Sequence, residues 1–159
     1  TLDCMSLSQS NQAFDILVCE DNLGDVYRIT NALQESKIAY NLHHVANGEA
    51  AMAYLQQQGD YQTVPRPDLI LLDLNLPKKP GFEILEAIKS NPKLKAIPVI
   101  ILTSSKAEQD ILKCYQLYAS CFVTKPFDFE EFVNAIKKIE NFWLNLVQLP
   151  PKFVPNGSS

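Results

Sequence analysis

Reactive or charged side chains lie at or just after the ends of four short apolar runs in this 159-residue sequence. Glu20 and Asp21 follow the first run, Asp73 the second, Thr103 the third and Lys125 the fourth. Carboxylate, hydroxyl and ammonium groups held together can carry out phosphoryl transfer, which depends mainly on positioning and charge neutralisation. In such a transfer, a carboxylate placed in line can act as the nucleophile. The sequence therefore predicts a phosphoryl-transfer site, provided that the four runs end close together.

The four apolar runs have the composition of strands that are buried on both faces, as in a parallel sheet. They are residues 16–19, 69–72, 99–102 and 121–123. A fifth run, Tyr40–Val45, is more polar and suits the edge of a sheet. Helical patterns lie between the runs, so strand and helix alternate along the chain. This order predicts a doubly wound α/β sandwich with right-handed crossovers.

Apolar residues recur at helical spacing between the predicted strands. Each of these apolar faces is expected to pack against the sheet. The faces of the last two helices consist of Ile111, Leu112 and Tyr115, and of Phe129, Phe132, Val133 and Ile136.

The polar residues are predicted to share one edge of the sheet, because ligands of open α/β sheets bind beyond the carboxyl ends of the strands. Glu20, Asp21 and Asp73 would repel one another there unless a cation compensated their charge. Oxygen donors with few protein ligands favour Mg²⁺ over Ca²⁺. Lys125 and Thr103 would complete the site by donating to the oxygens of a phosphoryl group.

Four motifs in a fixed order resemble the receiver domains of bacterial two-component signalling. They are Cys-Glu-Asp-Asn at 19–22, Leu-Leu-Asp-Leu-Asn-Leu-Pro at 71–77 with Gly81 after it, Ile-Leu-Thr-Ser at 101–104, and Thr-Lys-Pro-Phe at 124–127. The resemblance extends over residues 15–146. It implies the flavodoxin-like receiver fold, in which a five-stranded parallel sheet has the order 2-1-3-4-5.

The resemblance also implies the roles of the acidic residues. Asp73 corresponds to the phosphoacceptor. The implied Mg²⁺ site consists of Glu20 acting through water, Asp21, Asp73 and the backbone carbonyl of Asn75.

The remaining implied roles concern the phosphoryl group and the switch that responds to it. Lys125 and Thr103 are expected to hold the phosphoryl group, and Thr103 and Phe122 to form the switch. The bond between Lys125 and Pro126 matches a peptide bond that is usually cis in the family. Tyr118 departs from the pattern, because it replaces the glycine that usually ends the fourth helix.

These features indicate a response regulator that accepts a phosphoryl group from a sensor histidine kinase and signals to another, unknown protein. It is expected to phosphorylate and dephosphorylate itself and not to act as an enzyme on other substrates. The last helix resembles the small stand-alone regulators paired with cyanobacterial phytochromes. Two alternatives stay open: a Mg²⁺-dependent phosphohydrolase with an aspartate nucleophile, and a degenerate receiver that only binds partners. Asn75 weakens the first, because such enzymes commonly carry a second acid two residues after the nucleophile.

Residues 14–149 are predicted to form the receiver domain with a long C-terminal helix, and residues 1–13 and 150–159 to be flexible tails. The chain after Lys125 is too short for an output domain. A formal charge of −4 without a basic stripe argues against a direct nucleic-acid partner. The absence of a long apolar run or a signal peptide predicts a cytoplasmic protein without a membrane partner.

The C-terminal part of the chain carries more apolar residues than docking of the last helix requires. We expect a homodimer through the last strand and helices, with the same patch of both copies in contact. The alternative is that these residues fold back over the edge of their own domain. They are Phe142, Trp143, Leu144, Leu146, Val147 and Leu149.

Overall fold

A five-stranded parallel sheet forms the centre of the computed structural model, which describes residues 13–152. The strand order is β2-β1-β3-β4-β5, and every neighbouring pair is parallel. The predicted fold and strand order are therefore confirmed. The strands are β1 (Phe14–Cys19), β2 (Tyr40–Val45), β3 (Leu69–Leu72), β4 (Val99–Thr103) and β5 (Cys121–Thr124).

Five helices connect the strands and follow the last one. They are α1 (Leu23–Gln34), α2 (Gly48–Leu55), α3 (Gly81–Ser90), α4 (Glu108–Gln116) and α5 (Phe129–Glu140). The predicted long C-terminal helix ends as an α-helix at Glu140 and continues as a wider π-helical segment, Asn141–Leu146. Within residues 13–152, no helix has both the length and the apolar content needed to cross a membrane.

Alternate residues of the strands enter two separate hydrophobic cores. Leu17 of β1 points to the core under α2, α3 and α4, whereas Ile16 points to the core under α1 and α5. Burial of a side chain of this size contributes about 2 kcal/mol to stability. All four residues of β5 remain half-buried, because this strand lies at the sheet edge beside β4. The prediction that residues 121–123 are buried on both faces is therefore wrong.

The buried face of α4 differs from the predicted one. Leu112 and Tyr115 are 59% and 47% exposed, while Cys114 is fully buried and Leu117 packs against the same core. The spacing of Cys114 and Leu117 puts both on one side of the helix. The sequence contains two possible apolar faces here, and the one that carries Cys114 and Leu117 packs against the core. On α5, Phe132 and Ile136 are buried as predicted, whereas Phe129 is half exposed.

The end of the described chain crosses the amino edge of the sheet, opposite the predicted site. Lys152 forms ion pairs with Asp15 and with Asp68, the latter at 3.2 Å. Arg66 donates to two carbonyl groups of this segment at 3.2 and 3.4 Å. Residues 151 and 152, which belong to the predicted C-terminal tail, thus contact the domain through Arg66, Asp15 and Asp68. Residues 1–12 and 153–159 of the predicted tails lie outside the described part.

Candidate functional site

The chain positions four chemically active side chains at the carboxyl edge of the sheet. Glu20 follows β1, Asp73 follows β3, Thr103 ends β4 and Lys125 follows β5. Glu20, Asp73 and Thr103 are at most 5% exposed. Buried polar groups of this kind are costly unless they are paired, so their clustering indicates a functional site.

The ammonium group of Lys125 lies at the centre of this cluster. Its Nζ atom donates to Oδ2 of Asp73 at 2.9 Å and to Oδ2 of Asp25 at 2.8 Å. It also forms an ion pair with Glu20. Burial by itself would lower the pKa of Lys125, but the three carboxylates outweigh this effect and raise the pKa above its ordinary value. Lys125 is therefore a permanent cation beside Asp73.

Glu20, Asp21 and Asp73 form an acidic cluster that fits a hard divalent cation. One carboxylate oxygen of each lies within 4.8 Å of those of the other two. Glu20 and Asp73 are buried, and Asp21 is open to solvent. An all-oxygen donor set with an exposed side for water matches the preferences of Mg²⁺ or a similar ion.

The two buried carboxyl groups of this cluster have opposite pKa shifts. Burial raises the pKa of Glu20 to about 7, although the hydrogen bond from Lys125 offsets part of the effect. Burial also acts to raise the pKa of Asp73, but the hydrogen bond and the charge of Lys125 prevail and lower it. Asp73 is consequently ionised at neutral pH, as a nucleophilic carboxylate must be.

The hydroxyl group of Thr103 is buried and has no hydrogen-bond partner among residues 13–152. A buried hydroxyl without a partner costs about 1–3 kcal/mol, so such a group requires an explanation, such as a ligand that accepts a hydrogen bond from it. Thr103 ends β4 between the strands that lead to Asp73 and to Lys125. Its position suits a donor to an oxygen of a phosphoryl group on Asp73.

The loop between β3 and α3 packs tightly against the backbone of Asp73. The backbone N–H of Asn75 donates to Oδ1 of Asp73 at 3.1 Å, while the Asn75 side chain is exposed. Gly81 begins α3, and a Cβ atom added there would lie 2.3 Å from the carbonyl oxygen of Asp73. Absence of a side chain at Gly81 therefore allows the loop to pack closely against the backbone of Asp73.

Phe122 of β5 is half-buried against the core under α4. Its backbone N–H donates to the hydroxyl oxygen of Tyr115 on α4, at 3.1 Å. The following loop differs from the expectation at one point: the peptide bond between Lys125 and Pro126 is trans. The trans form is the more stable one for most bonds before proline, and Lys125 still reaches Asp73.

Tyr118 ends α4 in the left-handed conformation, with φ of 68°. Its N–H donates to the carbonyl of Tyr115 at 3.0 Å, and the N–H of Ala119 donates to that of Cys114 at 2.9 Å. This is the hydrogen-bond pattern of a Schellman motif, in which glycine is usual. Tyr118 thus adopts the same left-handed conformation that glycine would adopt here, at the cost of backbone strain.

Asp25 is the site residue that the sequence interpretation missed. It lies in the first turn of α1, where an acidic residue ordinarily favours the helix dipole. Its carboxylate nevertheless reaches Lys125 across the site. The available signal was an acidic side chain four residues after Asp21, in the first turn of a helix that begins at the carboxyl edge of the sheet.

Known proteins with the same architecture support a common class. The sequence profile of the response regulator receiver domain matches residues 16–137. The response regulator Rcp1 of Synechocystis sp. is 46% identical over 142 residues, which cover 89% of this chain and 97% of that protein. The chain therefore belongs to the response regulator receiver family of two-component signalling, whose fold it shares.

Two solved structures show which members of the family are similar. The phosphorylated cyanobacterial phytochrome response regulator RcpA superposes with a TM-score of 0.86 at 45% identity, covering 88% of this chain and all of that one. The Mn²⁺-bound form of Rcp1 superposes with a TM-score of 0.85 at 46% identity, covering 87% and 99%. The resemblance to phytochrome response regulators is confirmed.

Proposed function

We propose that this protein is a phosphorylation switch in which Asp73 accepts a phosphoryl group from a histidine kinase. The observation that carries the proposal is the pairing of a buried, ionised Asp73 with Lys125 at 2.9 Å, beside the unpartnered hydroxyl of Thr103. A receiver that only bound partners would have no use for this arrangement.

The reaction begins with attack of a carboxylate oxygen of Asp73 on the phosphorus atom of the donor. A bond forms between that oxygen and phosphorus, and the bond from phosphorus to the donor breaks. Lys125 and Thr103 donate hydrogen bonds to the phosphoryl oxygens, which lowers the cost of gathering negative charge in a buried site. The buried faces of Asp73 and Thr103 exclude water from that side of the product.

Mg²⁺ is the cation we propose for the acidic cluster. Glu20 through water, Asp21, Asp73 and the backbone carbonyl of Asn75 would hold it. The bound ion would neutralise charge on the carboxylates and on the phosphoryl oxygens. The solved structure of Rcp1 is a Mn²⁺-bound form, which supports binding of a divalent ion by this chain.

Chemical labelling tests the proposal. The protein is incubated with Mg²⁺ and a labelled small acyl phosphate, and the label is then challenged with hydroxylamine, which cleaves acyl phosphates. We expect hydroxylamine-labile label in the wild type and none in Asp73→Asn, with Asp68→Asn as a control at the opposite edge of the sheet. Full labelling of Asp73→Asn would show that the acceptor is another residue.

A Mg²⁺-dependent phosphohydrolase is the second candidate, and it is no better supported. Asn75 lies two residues after Asp73, where such an enzyme needs an acid, and its side chain is exposed. Release of inorganic phosphate from small phosphate esters, with many turnovers per protein, would favour this alternative. The switch predicts one phosphoryl group per chain, followed by self-dephosphorylation.

The proposed donor is a sensor histidine kinase of the cyanobacterial phytochrome type, because the chain covers nearly the full length of RcpA and Rcp1. Such pairing would place the protein in the cytoplasm. Output then passes to a downstream protein and not directly to nucleic acid. The exposed apolar side chains of Leu112, Tyr115 and Tyr118 on and after α4 offer a surface for such a partner.

A homodimer through β5, α5 and the following segment is also proposed. An open apolar groove of about 470 Å³ lies there, lined by residues that include Cys121, Val123, Ile139 and Trp143. Phe142, which also lines it, is 47% exposed, and Leu146 is 72% exposed. Other C-terminal apolar residues fold back over their own domain instead: Leu144 is buried there, and Trp143 and Leu149 pack against it. The exposed residues Phe142 and Leu146 are the ones that a second copy could cover.

Sedimentation at several protein concentrations tests the dimer. The same aromatic patch of two copies would meet across a two-fold axis, so Phe142→Asp should shift the protein towards monomer. Phe127→Asp is the matched control, since Phe127 is fully exposed outside the groove. A wild type that stays monomeric with and without acyl phosphate would contradict the dimer and leave the phosphorylation proposal intact.

A further inference from the structure

Three carboxylates share the single ammonium group of Lys125: those of Glu20, Asp25 and Asp73. An ammonium group has three protons, so these contacts use its full donor capacity. Glu20 and Asp73 also belong to the acidic cluster that fits a cation, whereas Asp25 does not. Of the three acceptors, Asp25 is therefore the one that can stay on Lys125 when the other two carboxylates turn towards a cation.

Asp25 is itself held by two contacts with other residues at the start of α1. Its backbone N–H donates to Oδ1 of Asn22 at 3.1 Å, which fixes the first turn of α1. Its Oδ1 atom lies 3.5 Å from the guanidinium of Arg28, one turn further along the same helix. One oxygen of Asp25 thus faces Arg28, and the other accepts from Lys125 at 2.8 Å.

Arg28 connects this contact to α5. Its guanidinium carbon lies 5.6 Å from the ring centroids of both Phe129 and Phe132. The Arg28 side chain is 33% exposed, and its contacts with these two rings favour the position of the guanidinium beside Asp25. A continuous series of contacts therefore runs from Asp73 through Lys125, Asp25 and Arg28 to α5.

We propose that Asp25 is a positioning residue, which holds the ammonium group of Lys125 beside Asp73 and is held in turn by Arg28. This inference rests on the proposed function of Asp73 as phosphoacceptor. Without Asp25, the ammonium would follow Glu20 or turn to solvent, and it would be less often in place to meet a phosphoryl oxygen.

A simple role at the start of a helix does not explain these contacts. An acid in the first turn favours the helix dipole wherever it points, and the exposed Glu83 in the first turn of α3 is an example. Asp25 is instead 13% exposed at its side chain and points across the site to another element. The variant Glu83→Gln is therefore a matched control for loss of a helix-start charge.

The test combines side-chain NMR with labelling of the full chain. The protein is produced with isotope-labelled lysine, and its side-chain signals are recorded with and without Mg²⁺. The signals that disappear in Lys125→Arg are those of Lys125. In Asp25→Asn we expect those signals to move towards values of exposed lysines. Loss of a charge-assisted hydrogen bond should slow labelling by acyl phosphate about tenfold. Asp25→Glu should restore most of the rate, and Glu83→Gln should change neither measurement.

Unchanged Lys125 signals in Asp25→Asn would overturn the proposal, and so would moved signals with an unchanged labelling rate. Arg28→Gln provides a second test that leaves Asp25 in place, with a smaller change expected in the same direction. The NMR measurement needs no phosphoryl donor, so it decides the contact by itself. A wild type that takes no label would therefore refute the proposed function and not the role of Asp25 on Lys125.

Discussion

Gly81 offers a direct way to disturb Asp73, the proposed acceptor, without changing a polar side chain. In Gly81→Ala, the new Cβ atom would lie 2.3 Å from the carbonyl oxygen of Asp73 and 2.7 Å from Cα of Leu74. Ordinary contacts begin at 3.4 Å, so the loop after β3 has to move by about 1 Å. Both neighbours are backbone atoms, which cannot rotate away as a side chain would.

The expected effect of Gly81→Ala is large on phosphorylation and moderate on stability. A misplacement of about 1 Å costs about a hundredfold in reactions that depend on positioning. Overpacking of this kind lowers the free energy of unfolding by about 1–3 kcal/mol. Initial rates of acyl-phosphate labelling measure the first effect, and urea unfolding measures the second.

Gly24→Ala is the control, because Gly24 lies in α1 near the same edge of the sheet. Its added Cβ atom would meet Oδ1 of Asn22 at 3.1 Å, and a shift of a few tenths of an ångström relieves this contact without breaking the hydrogen bond that this oxygen accepts from the N–H of Asp25. We expect labelling within about threefold of the wild type in this variant. If Gly81→Ala kept the wild-type rate and stability, the inference that close backbone packing positions Asp73 would be refuted.

Three further changes test other features. Thr103→Val should slow labelling, because it removes the buried hydroxyl that would donate to a phosphoryl oxygen, and it should change the free energy of unfolding in urea by no more than about 1 kcal/mol. Tyr118→Gly should stabilise the protein by about 0.5–1 kcal/mol in the same assay, since it relieves the left-handed strain, whereas Tyr118→Ala should not. Lys152→Met should lower the free energy of unfolding by about 1 kcal/mol at neutral pH. Burial acts to raise the pKa of Asp15, but hydrogen bonds, that from Lys152 foremost, prevail and lower it. The stability difference between the variant and the wild type should therefore be present above pH 3.8 and shrink as Asp15 is protonated. The pKa of Lys152 is raised, so the stability difference between the variant and the wild type should also fall as the pH rises above 10.5 through the pKa of Lys152 in the folded protein. If variant and wild type showed the same dependence of stability on pH, the ion pair would not contribute.

The strands could be predicted from the sequence because both faces of most of them are covered. A strand buried on two sides carries an uninterrupted apolar run, and the predicted run at 69–72 has the bounds of β3. The predicted run Tyr40–Val45 also has the bounds of β2, and its more polar composition agrees with a place at the sheet edge. The polar residues after such runs meet at one edge by topology, so most of the site followed from the fold.

Features that depend on distant contacts could not be predicted. The face of α4 has apolar residues on two sides, and packing against the core decides between them. In the sequence, Asp25 has the position of an ordinary helix-start residue. Its partner Lys125 lies 100 positions later in the chain, and only the fold brings the two side chains to 2.8 Å. Lys152 looks like part of a polar tail, because its partners Asp15 and Asp68 carry no local signal of an ion pair.

The hydrogen bond from Phe122 to Tyr115 has a consequence for how copies of this protein can associate. Backbone N–H groups along a sheet edge can recruit a strand from another chain, which leads to aggregation. The phenol of Tyr115 already occupies the N–H of Phe122 on the outer edge strand. The sheet cannot continue into another chain through this N–H group while Tyr115 is bound to it. The proposed dimer at β5 would then be joined by side chains at this position, and Phe122 would offer no template for fibrils.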